Sequence, residues 1–523
     1  MNGSLVPFKL TRIPSLKSVA DFRQHIASLG LDLPCEDAIA FGADSPLTQA
    51  IPDLTVNGKR IGNRWAIHPM EGWDATTTGR ATDEVRRRWQ RFGESGAKVI
   101  YGGEAMAVRP DGRANPNQLI ITEENTRDLA EIRELLVKAH RERHGTVDDL
   151  VIGFQLTHSG RFCKPTDKKR MEPRVAFRHP ILDRKFNVTS DAQVFTDAEI
   201  EELIQCYIRA ARIARDVGAD FVDLKHCHGY LLHEFLGAHT RPGKFGGSFE
   251  NRTRILREII AGIRADGNPI DIGVRLSAFD FVPFKPDPTR AEPGKLGPGI
   301  PEDFSRCLPY RYGFGVNANN PVEYDLTETF QFAELCAQLG VKILNLSAGS
   351  PYYNPHIQRP AAYPPSDGYQ PAHDPLIDVA RQINVVRQVK EHLGKVRGEK
   401  GEGRAAQLPH ASPLSPPTSH LALIGTAYSY LQEYLPHVAQ YAVRNGWTDM
   451  VGLGRMVLSY PEMLADATTK GALTPKLICR TFSDCTTAPR NGIISGCYPL
   501  DDHYKSRPEF QELKAVKKSV GGS

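Results

Sequence analysis

The sequence predicts an α/β protein folded as a (β/α)8 barrel, the TIM-barrel architecture, with an N-terminal extension, long loop insertions and a short C-terminal tail. Short apolar runs of strand length recur along the chain. Each is followed by a polar or glycine-rich loop and then by an amphipathic stretch of helical period. Continuous apolar strands that alternate with helices are typical of a parallel sheet covered by helices. Eight such units favour a closed barrel over an open doubly wound sheet, because closure leaves no exposed sheet edge.

The predicted strands and helices alternate in order along the chain. The predicted strands are Trp65–His68, Lys98–Tyr101, Val151–Leu156, Phe221–Lys225, Ile272–Leu276, Ile343–Ser347, Leu421–Ile424 and Met450–Leu453. The helices that follow them are predicted at Asp83–Phe92, Glu124–His144, Asp197–Val217, Phe249–Asp266, Leu326–Leu339, Asp374–Leu393, Leu431–Asn445 and Pro461–Lys470. Thr196, three residues before Glu199, is a candidate N-cap of the third helix. Asn57-Gly58 predicts a two-residue hairpin turn ahead of the first strand.

This pattern divides the chain into three parts. Residues 1–54 are an N-terminal extension, residues 55–475 form the barrel, and residues 476–523 form a cysteine-containing tail. Two insertions lengthen the barrel. Residues 283–325 are rich in proline and glycine and leave the carboxyl end of a strand, where we expect a lid over the site. Residues 394–419 are polar and low in complexity and precede the seventh strand on the opposite face, where we expect no chemistry.

The composition excludes several classes of protein. The 523 residues carry 65 basic and 61 acidic side chains, a net charge of +4, which is too near neutral to favour nucleic acid or an anionic membrane as the main partner. Nine cysteines are too sparse for a disulfide scaffold. We find neither a signal peptide nor an apolar run of membrane-spanning length. We therefore expect a cytoplasmic protein that acts on a small-molecule substrate, with a homo-oligomer as an open alternative.

The carboxyl ends of barrel strands carry the active site, and the end of the fourth strand is the densest in reactive side chains. Lys225, His228 and Tyr230 bring a cation, an imidazole and a phenol into six residues. Lys225 and His228 could both point at one oxygen atom, and Tyr230 could donate a proton beside them. Two alternatives stay open: a zinc site made by the neighbouring histidines and Cys227, and histidines that only pack in the core.

The ends of the seventh and eighth strands suggest a phosphate site. Gly425 and the pair Gly454-Arg455 can present backbone N–H groups and a guanidinium to an anion, at the usual phosphate position of such barrels. The alternative is that these glycines only turn the chain.

Four motifs, HPMEG, QLTHSGR, HCHGYLLHEFL with the following RPGKFGGSFENRTR, and VGLGR, together resemble the Old Yellow Enzyme family of FMN-dependent oxidoreductases (NADH:flavin oxidoreductases). The greatest similarity is to the flavin barrel of bacterial 2,4-dienoyl-CoA reductase and trimethylamine dehydrogenase, and it covers about residues 55–505. The resemblance implies an FMN at the barrel mouth that NADH or NADPH reduces. Flavin N5 would then pass a hydride to the β-carbon of an activated alkene, as in an ene-reductase.

The resemblance also implies a role for individual residues. Next to the isoalloxazine ring it places Pro69, Met70, Glu71 and Ala105, with Gln155 on the pyrimidine edge and Arg275 near N1 and O2 of the reduced flavin. It assigns the phosphate to Gly425, Gly454 and Arg455, the substrate carbonyl to Lys225 and His228, and proton donation to Tyr230.

Three positions depart from the pattern of that family. Lys225 stands where a histidine is common, and a permanent cation there would favour an anionic substrate or a stronger oxyanion. Glu71 replaces the Cys or Thr that often tunes the flavin, and a carboxylate should lower the flavin potential. Ala427 stands where the phosphate loop often has glycine, although its N–H can still bind phosphate.

The cysteines of the tail do not match an iron–sulfur motif. Cluster-bearing members carry C-x2-C-x3-C-x11-C after the barrel. Here Cys485 and Cys497 match the last pair, but Ile478 and Thr481 occupy the first two places, and Cys479 is out of register. We therefore expect no cluster. A zinc site made by these cysteines and His503 is the alternative. A GxGxxG after a predicted strand is also missing, so NAD(P)H would react directly at the flavin.

Two alternative functions remain at this point. The same barrel could serve an FMN-dependent amine dehydrogenase or demethylase, because it can pass hydride in either direction. A barrel without flavin, either a binding protein or an enzyme for a phosphorylated substrate, would also use the phosphate site.

Overall fold

A computed structural model describes residues 10–292, 296–401 and 420–520. Within them, eight parallel strands form a closed barrel: β1 (Trp65–Ile67), β2 (Val99–Ile100), β3 (Val151–Thr157), β4 (Phe221–His226), β5 (Asp271–Ser277), β6 (Ile343–Ser347), β7 (Ala422–Gly425) and β8 (Met450–Leu453). Pairing of Trp65 with Val451 joins β1 to β8, and pairing of Val99 with Val151 joins β2 to β3. The predicted (β/α)8 TIM barrel is therefore confirmed.

Helices cover the outside of this barrel at the predicted places. They are α1 (Asp83–Gly93), α2 (Thr126–His144), α3 (Asp197–Asp216), α4 (Arg254–Ala265), α5 (Thr327–Gln338), α6 (Leu376–Gly401) and α7 (Leu435–Arg444). After β8 the single predicted helix is instead divided into short pieces, Arg455–Ser459, Met463–Ala465 and Asp466–Lys470. The capping box of α3 is present: Thr196 Oγ1 accepts the N–H of Glu199, and the Glu199 carboxylate accepts the N–H of Thr196.

The amino-terminal mouth of the barrel is closed by the predicted hairpin. Thr55–Val56 pairs with Lys59–Arg60, and the turn residues Asn57 and Gly58 have φ of 51° and 73°. The Asn57 amide donates to Asp271 Oδ2 over 2.7 Å, which ties the turn to the start of β5. Val56 packs among the apolar side chains of the barrel interior. Ligands therefore have access from the carboxyl-terminal mouth.

The two insertions differ in the structure. The described part of residues 283–325 includes a small antiparallel hairpin, Phe284–Pro286 with Gly299–Pro301. Residues 394–401 continue α6 beyond its predicted end at Leu393, and the remainder of the second insertion lies outside the described residues.

The N-terminal extension and the tail both pack against the barrel. The extension contains the helix Val19–Ser28, whose Phe22 ring stacks on Tyr434 with the ring centroids 4.2 Å apart. The tail contains the helices Asp484–Arg490, Asp502–Lys505 and Glu509–Val520, which enclose a small core of their own. Among the described helices, none combines the length and the apolar character that a membrane crossing requires.

Candidate functional site

The carboxyl ends of the strands open into a cavity of about 1100 Å³, part of which is open to solvent. Its walls come from the strand ends, from the loop that follows β6, and from the tail. The residues that were predicted for the site and that line this cavity are Pro69, Met70, Glu71, Gln155, Lys225, His228, Tyr230, Arg275, Gly454 and Arg455. None of the described residues of the insertion 283–325 lines the cavity, so the described part of this insertion does not form the expected lid over it.

Ala105 and Gly425 do not line the cavity, in contrast to the sequence-based assignment. Ala105 is fully buried, and its carbonyl accepts a hydrogen bond from Gln118 Nε2 at 3.1 Å. The Gly425 amide donates to Thr448 Oγ1 at 3.1 Å, so this amide is already used inside the fold. Ala427, which does line the cavity, has φ of 75°. Its backbone therefore adopts the left-handed conformation that favours the glycine usual at this place.

One end of the cavity holds two arginines with unsatisfied N–H groups. Arg455 donates through Nη2 to the Pro360 carbonyl, while its buried Nη1 has no partner within the described chain. Arg359 donates through Nη1 to Thr486 Oγ1, and its Nη2 is likewise buried and unpartnered there. Burial, reinforced by repulsion from Arg359, lowers the pKa of Arg455 to about 10. Two guanidiniums that repel each other and keep buried N–H groups without partners favour the binding of an anion.

The middle of the cavity is lined by an amide and a guanidinium. Gln155 Nε2 donates to Asp223 Oδ2 over 2.7 Å, which fixes the orientation of the amide. Burial raises the pKa of Asp223 to about 6, although the hydrogen bond from Gln155 opposes this shift. Arg275 is buried, and its Nε has no hydrogen-bond partner in the part of the chain that the structure describes. Both side chains therefore keep polar groups that can serve a bound molecule.

Lys225 and Glu71 form an ion pair. Lys225 Nζ lies 2.7 Å from Glu71 Oε1 and 3.8 Å from the centroid of the Tyr230 ring. The lysine side chain is 3% exposed, whereas Glu71 is 23% exposed and borders the cavity. The cation is thus neutralised inside the protein. The expectation that Lys225 favours an anionic substrate or a stronger oxyanion stays a prediction, and the carboxylate beside the lysine reduces the net charge on which it depends.

His228 is held as a neutral imidazole. Its backbone is in the left-handed region with φ of 64°, and its N–H donates to Ser277 Oγ at 2.9 Å. Nε2 lies 3.0 Å from Ser347 Oγ and 3.3 Å from Gln358 Nε2. Burial, and repulsion from the nearby cations, hold the pKa of His228 well below its ordinary value. A neutral ring can share a hydrogen bond with a substrate oxygen without placing a second charge there.

Tyr230 lies beside this histidine and contacts a second tyrosine. The Tyr230 hydroxyl is 3.0 Å from the Tyr352 hydroxyl. Burial raises the pKa of both phenols above the ordinary value. Both hydroxyls therefore keep their protons at neutral pH, as a proton donor must.

The wall of the cavity beyond the strand ends was not predicted. Gln358 and Arg359, with Tyr352, belong to the loop after β6, and Arg490 belongs to the tail. The run PYYNPHIQRP directly after the sixth strand was a usable signal, because it places polar and aromatic side chains at a strand's carboxyl end. For Arg490 we find no such signal in the sequence.

A second layer of buried charge supports the loop that carries Glu71. Glu104 Oε2 accepts the Gly72 amide at 3.3 Å, and Glu104 Oε1 lies 3.5 Å from Arg88 Nη1. Arg88 also pairs with Asp74 on the same loop. Burial raises the pKa of Glu104 to about 8, against the opposing effect of Arg88. Glu104 therefore keeps its proton over much of the neutral range.

The alternative zinc sites find no support in the described residues, which contain no group of three or more His, Cys, Asp or Glu side chains placed to hold a metal. His226 Nδ1 is 3.1 Å from the Leu224 carbonyl, and His233 Nδ1 accepts the Gly229 amide at 3.0 Å. Cys479, Cys485 and Cys497 are all free thiols, and Cys485 borders the cavity.

The absence of an iron–sulfur cluster stays a prediction. Its basis is the motif, in which two of the four required cysteines are replaced. An iron and acid-labile sulfide assay of anaerobically purified protein should give no stoichiometric iron, and about four irons per chain would contradict it.

Comparison with known proteins identifies relatives of this barrel. The model of the NADH:flavin oxidoreductase / NADH oxidase family matches residues 52–333, which is more than half of the chain. An NADPH dehydrogenase of Geobacillus sp. (strain WCH70) is 32% identical over 248 residues, which are 45% of this chain and 65% of the relative. The match thus spans just under two thirds of the length of that bacterial relative.

Solved structures share the fold at low sequence identity. A 2-naphthoyl-CoA reductase complex has a TM-score of 0.57 and 17% identity, over 88% of this chain and 57% of the other. An Old Yellow Enzyme from Pichia sp. AKU4542 has a TM-score of 0.50 and 18% identity, over 83% of this chain and 89% of the other. At these identities the comparison establishes the barrel architecture alone.

Proposed function

Because the chain belongs to the NADH:flavin oxidoreductase / NADH oxidase family, we propose that it is an FMN-dependent NAD(P)H oxidoreductase that reduces activated C=C bonds of α,β-unsaturated carbonyl compounds. The observation that carries the proposal is the arrangement of one cavity. An anion-binding end, with Arg359 and Arg455, is joined to a proton-donating end, with His228 and Tyr230.

The residues present fit an FMN. The unpartnered N–H groups of Arg359 and Arg455 would hold its phosphate. Gly454 leaves room beside Met70, since an added Cβ would lie 2.8 Å from the Met70 sulfur. Gln155 and Arg275 would contact the polar edge of the ring system. Bound FMN would supply the redox chemistry, the transfer of a hydride from NAD(P)H to the β-carbon of the substrate.

The protein side chains would handle the charge and the proton. Gln358 Nε2 lies 3.3 Å from His228 Nε2, and since an amide nitrogen only donates, the ring nitrogen accepts in this contact. A bound substrate oxygen would replace this contact, so that both groups could donate to it as it gains negative charge. Lys225 is held by Glu71, so it acts through the local field rather than as a free cation. Tyr230 would then protonate the α-carbon. A small-molecule substrate, a cytoplasmic location and a homo-oligomer remain part of this proposal.

The test separates the two half-reactions. The protein as purified should release FMN on denaturation, and NADH or NADPH should bleach the bound flavin in the absence of oxygen. A panel of cyclic enones and enals should reoxidise it. Tyr230→Phe should slow reoxidation by about 10²–10⁴-fold and leave reduction by NAD(P)H nearly unchanged.

The matched control is Tyr353→Phe, which removes a phenol hydroxyl that hydrogen-bonds Asp280 instead of facing the cavity. Release of FAD, or failure to bind FMN on reconstitution, would overturn the cofactor assignment. Reduction of the flavin by amines, with no reoxidation by alkenes, would establish the amine dehydrogenase alternative instead.

A further inference from the structure

We propose that Tyr352 is a proton-relay residue, which returns a proton from solvent to Tyr230 after each turnover. The inference rests on the proposed function, because it assumes that Tyr230 loses its proton to the substrate. It adds a residue of the loop after β6 to the proton path.

The geometry provides the connection. Tyr230 is 3% exposed, and the structure gives its hydroxyl a hydrogen bond to the Tyr352 hydroxyl at 3.0 Å. Tyr352 is less buried than Tyr230 and lines the cavity that opens to solvent. A proton can therefore pass from water to Tyr352 and then to Tyr230 along hydrogen bonds of ordinary length.

Several contacts fix Tyr352 in this position. Its ring stacks on Phe162 with the centroids 3.9 Å apart, and Lys185 Nζ donates to its carbonyl at 2.8 Å. The Arg490 guanidinium lies 5.2 Å from the ring centroid. Arg490 is itself held by Asp367 and by the Pro351 carbonyl. The hydroxyl of Tyr352 is thus held where it can serve Tyr230.

Cations lie over both phenol rings. Lys225 Nζ is 3.8 Å from the centroid of the Tyr230 ring, and the Arg490 guanidinium is 5.2 Å from that of the Tyr352 ring. Glu71, the acidic neighbour, is paired with Lys225, and Asp367 is paired with Arg490. Since burial raises the pKa of the Tyr230 phenol, its anion is unstable and takes up a proton readily.

The proton steps balance. The Tyr230 O–H bond breaks as a C–H bond forms at the α-carbon of the substrate, and the phenol oxygen keeps the electron pair. The Tyr352 O–H proton then moves to the Tyr230 oxygen, and a water at the mouth reprotonates Tyr352. The two electrons of the reduction arrive with the hydride from NAD(P)H, so the relay itself transfers protons only.

The experiment compares one turnover with many in Tyr352→Phe, with Tyr353→Phe as the matched control. In a single reoxidation of pre-reduced enzyme, Tyr230 still holds its proton, and Tyr352→Phe should react at the wild-type rate. Steady-state turnover should fall by about tenfold or more, with a larger solvent deuterium effect, because each cycle waits for slow reprotonation. A small buffer acid such as imidazole should restore turnover in Tyr352→Phe and leave Tyr353→Phe unchanged.

Two outcomes overturn the relay. Wild-type turnover with an unchanged solvent isotope effect in Tyr352→Phe would show that Tyr230 recovers its proton by another path. An equal loss in the single turnover would show that Tyr352 only positions Tyr230.

A spectroscopic measurement stands apart from activity. With 3-fluorotyrosine in the protein, the ¹⁹F resonance of residue 230 should shift, and its ionisation pH change, in Tyr352→Phe but not in Tyr353→Phe. If this coupling is present and no alkene is reduced, the proposed function fails while the hydrogen-bonded pair stands. If the coupling is missing, the relay fails whatever the substrate.

Discussion

The Glu71–Lys225 pair shows how two unusual residues gain their meaning from each other. Each one alone alters the charge at the candidate site, and in opposite directions. Together, 2.7 Å apart, they leave that part of the cavity close to neutral. The sequence contains both residues but not their contact, because Glu71 follows β1 and Lys225 lies on β4, far apart in the chain. The closure of the barrel brings them together.

Removing the charge of Glu71 and removing that of Lys225 should change the affinity for an anionic ligand in opposite directions. We expect Glu71→Gln to strengthen the binding of a phenolate, which mimics the enolate, by about tenfold, because the lysine is then unpaired. Lys225→Gln should weaken it by a similar factor. Flavin absorbance titration measures both. A neutral enone is the control ligand, whose affinity should change little, and equal phenolate affinity in all three proteins would contradict the argument.

The arginine pair at the anion-binding end of the cavity leads to a second prediction. Arg359→Ala and Arg455→Ala should each raise the Kd of FMN by about 10–100-fold, because each removes a hydrogen bond to a charged group worth about 1.5–3 kcal/mol. Quenching of FMN fluorescence on titration with the apoprotein measures this. Riboflavin, which lacks the phosphate, should bind the variants and the wild type alike. The exposed Arg170→Ala should change neither affinity.

At the scale of elements, the strands were predictable and the loops were not. An apolar run such as Val151–Leu156 has to be buried wherever it occurs, so the position of β3 follows from the local sequence. Arg359 and Arg490 reach the same cavity from different segments. Their positions depend on the path of a proline-rich loop and on how the tail packs, and neither leaves a period in the sequence.

Alanine substitutions at two glycines test the backbone conformations of the hairpin turn and of α6. Gly58 and Gly394 both have open space where the Cβ of an alanine would stand, but Gly58 has φ of 73° and Gly394 lies inside α6. Gly58→Ala should therefore destabilise the protein by about 1 kcal/mol, since alanine disfavours the left-handed region. Gly394→Ala should stabilise it by about 0.5–1 kcal/mol. Urea unfolding measures both, and shifts of the same sign would contradict the assignment.

For the whole molecule, buried acids set part of the dependence of stability on pH. Glu104 has an ordinary pKa of 4.5 and a pKa of about 8 in the folded protein. Between these values the folded state keeps a proton that the unfolded state has lost. Its contribution to stability is therefore complete below about 4.5 and is lost as the pH rises through 8. Asp223 and Asp280, with pKa values of about 6, finish titrating at lower pH.

Comparison of the wild type with Glu104→Gln from pH 7 to 8.5 isolates the contribution of Glu104. Wild type should lose about 1 kcal/mol more unfolding free energy across this window than Glu104→Gln, which mimics the protonated acid. Urea titrations at several pH values measure the difference. Glu131→Gln, an exposed acid on α2, is the control and should follow the wild type. A parallel loss in all three proteins would assign the slope to other groups.

The closure of the barrel also has a consequence for synthesis on the ribosome. Strand β1 can pair with β8 only after Val451 has emerged from the ribosome to pair with Trp65. Thr486, which anchors Arg359 at the anion-binding end of the cavity, emerges later still. During most of translation the early strands therefore have an unpaired edge. A nascent chain of which only the first half is made cannot bind a cofactor at this site. We therefore expect the proposed FMN to bind only at the end of translation or after release of the chain.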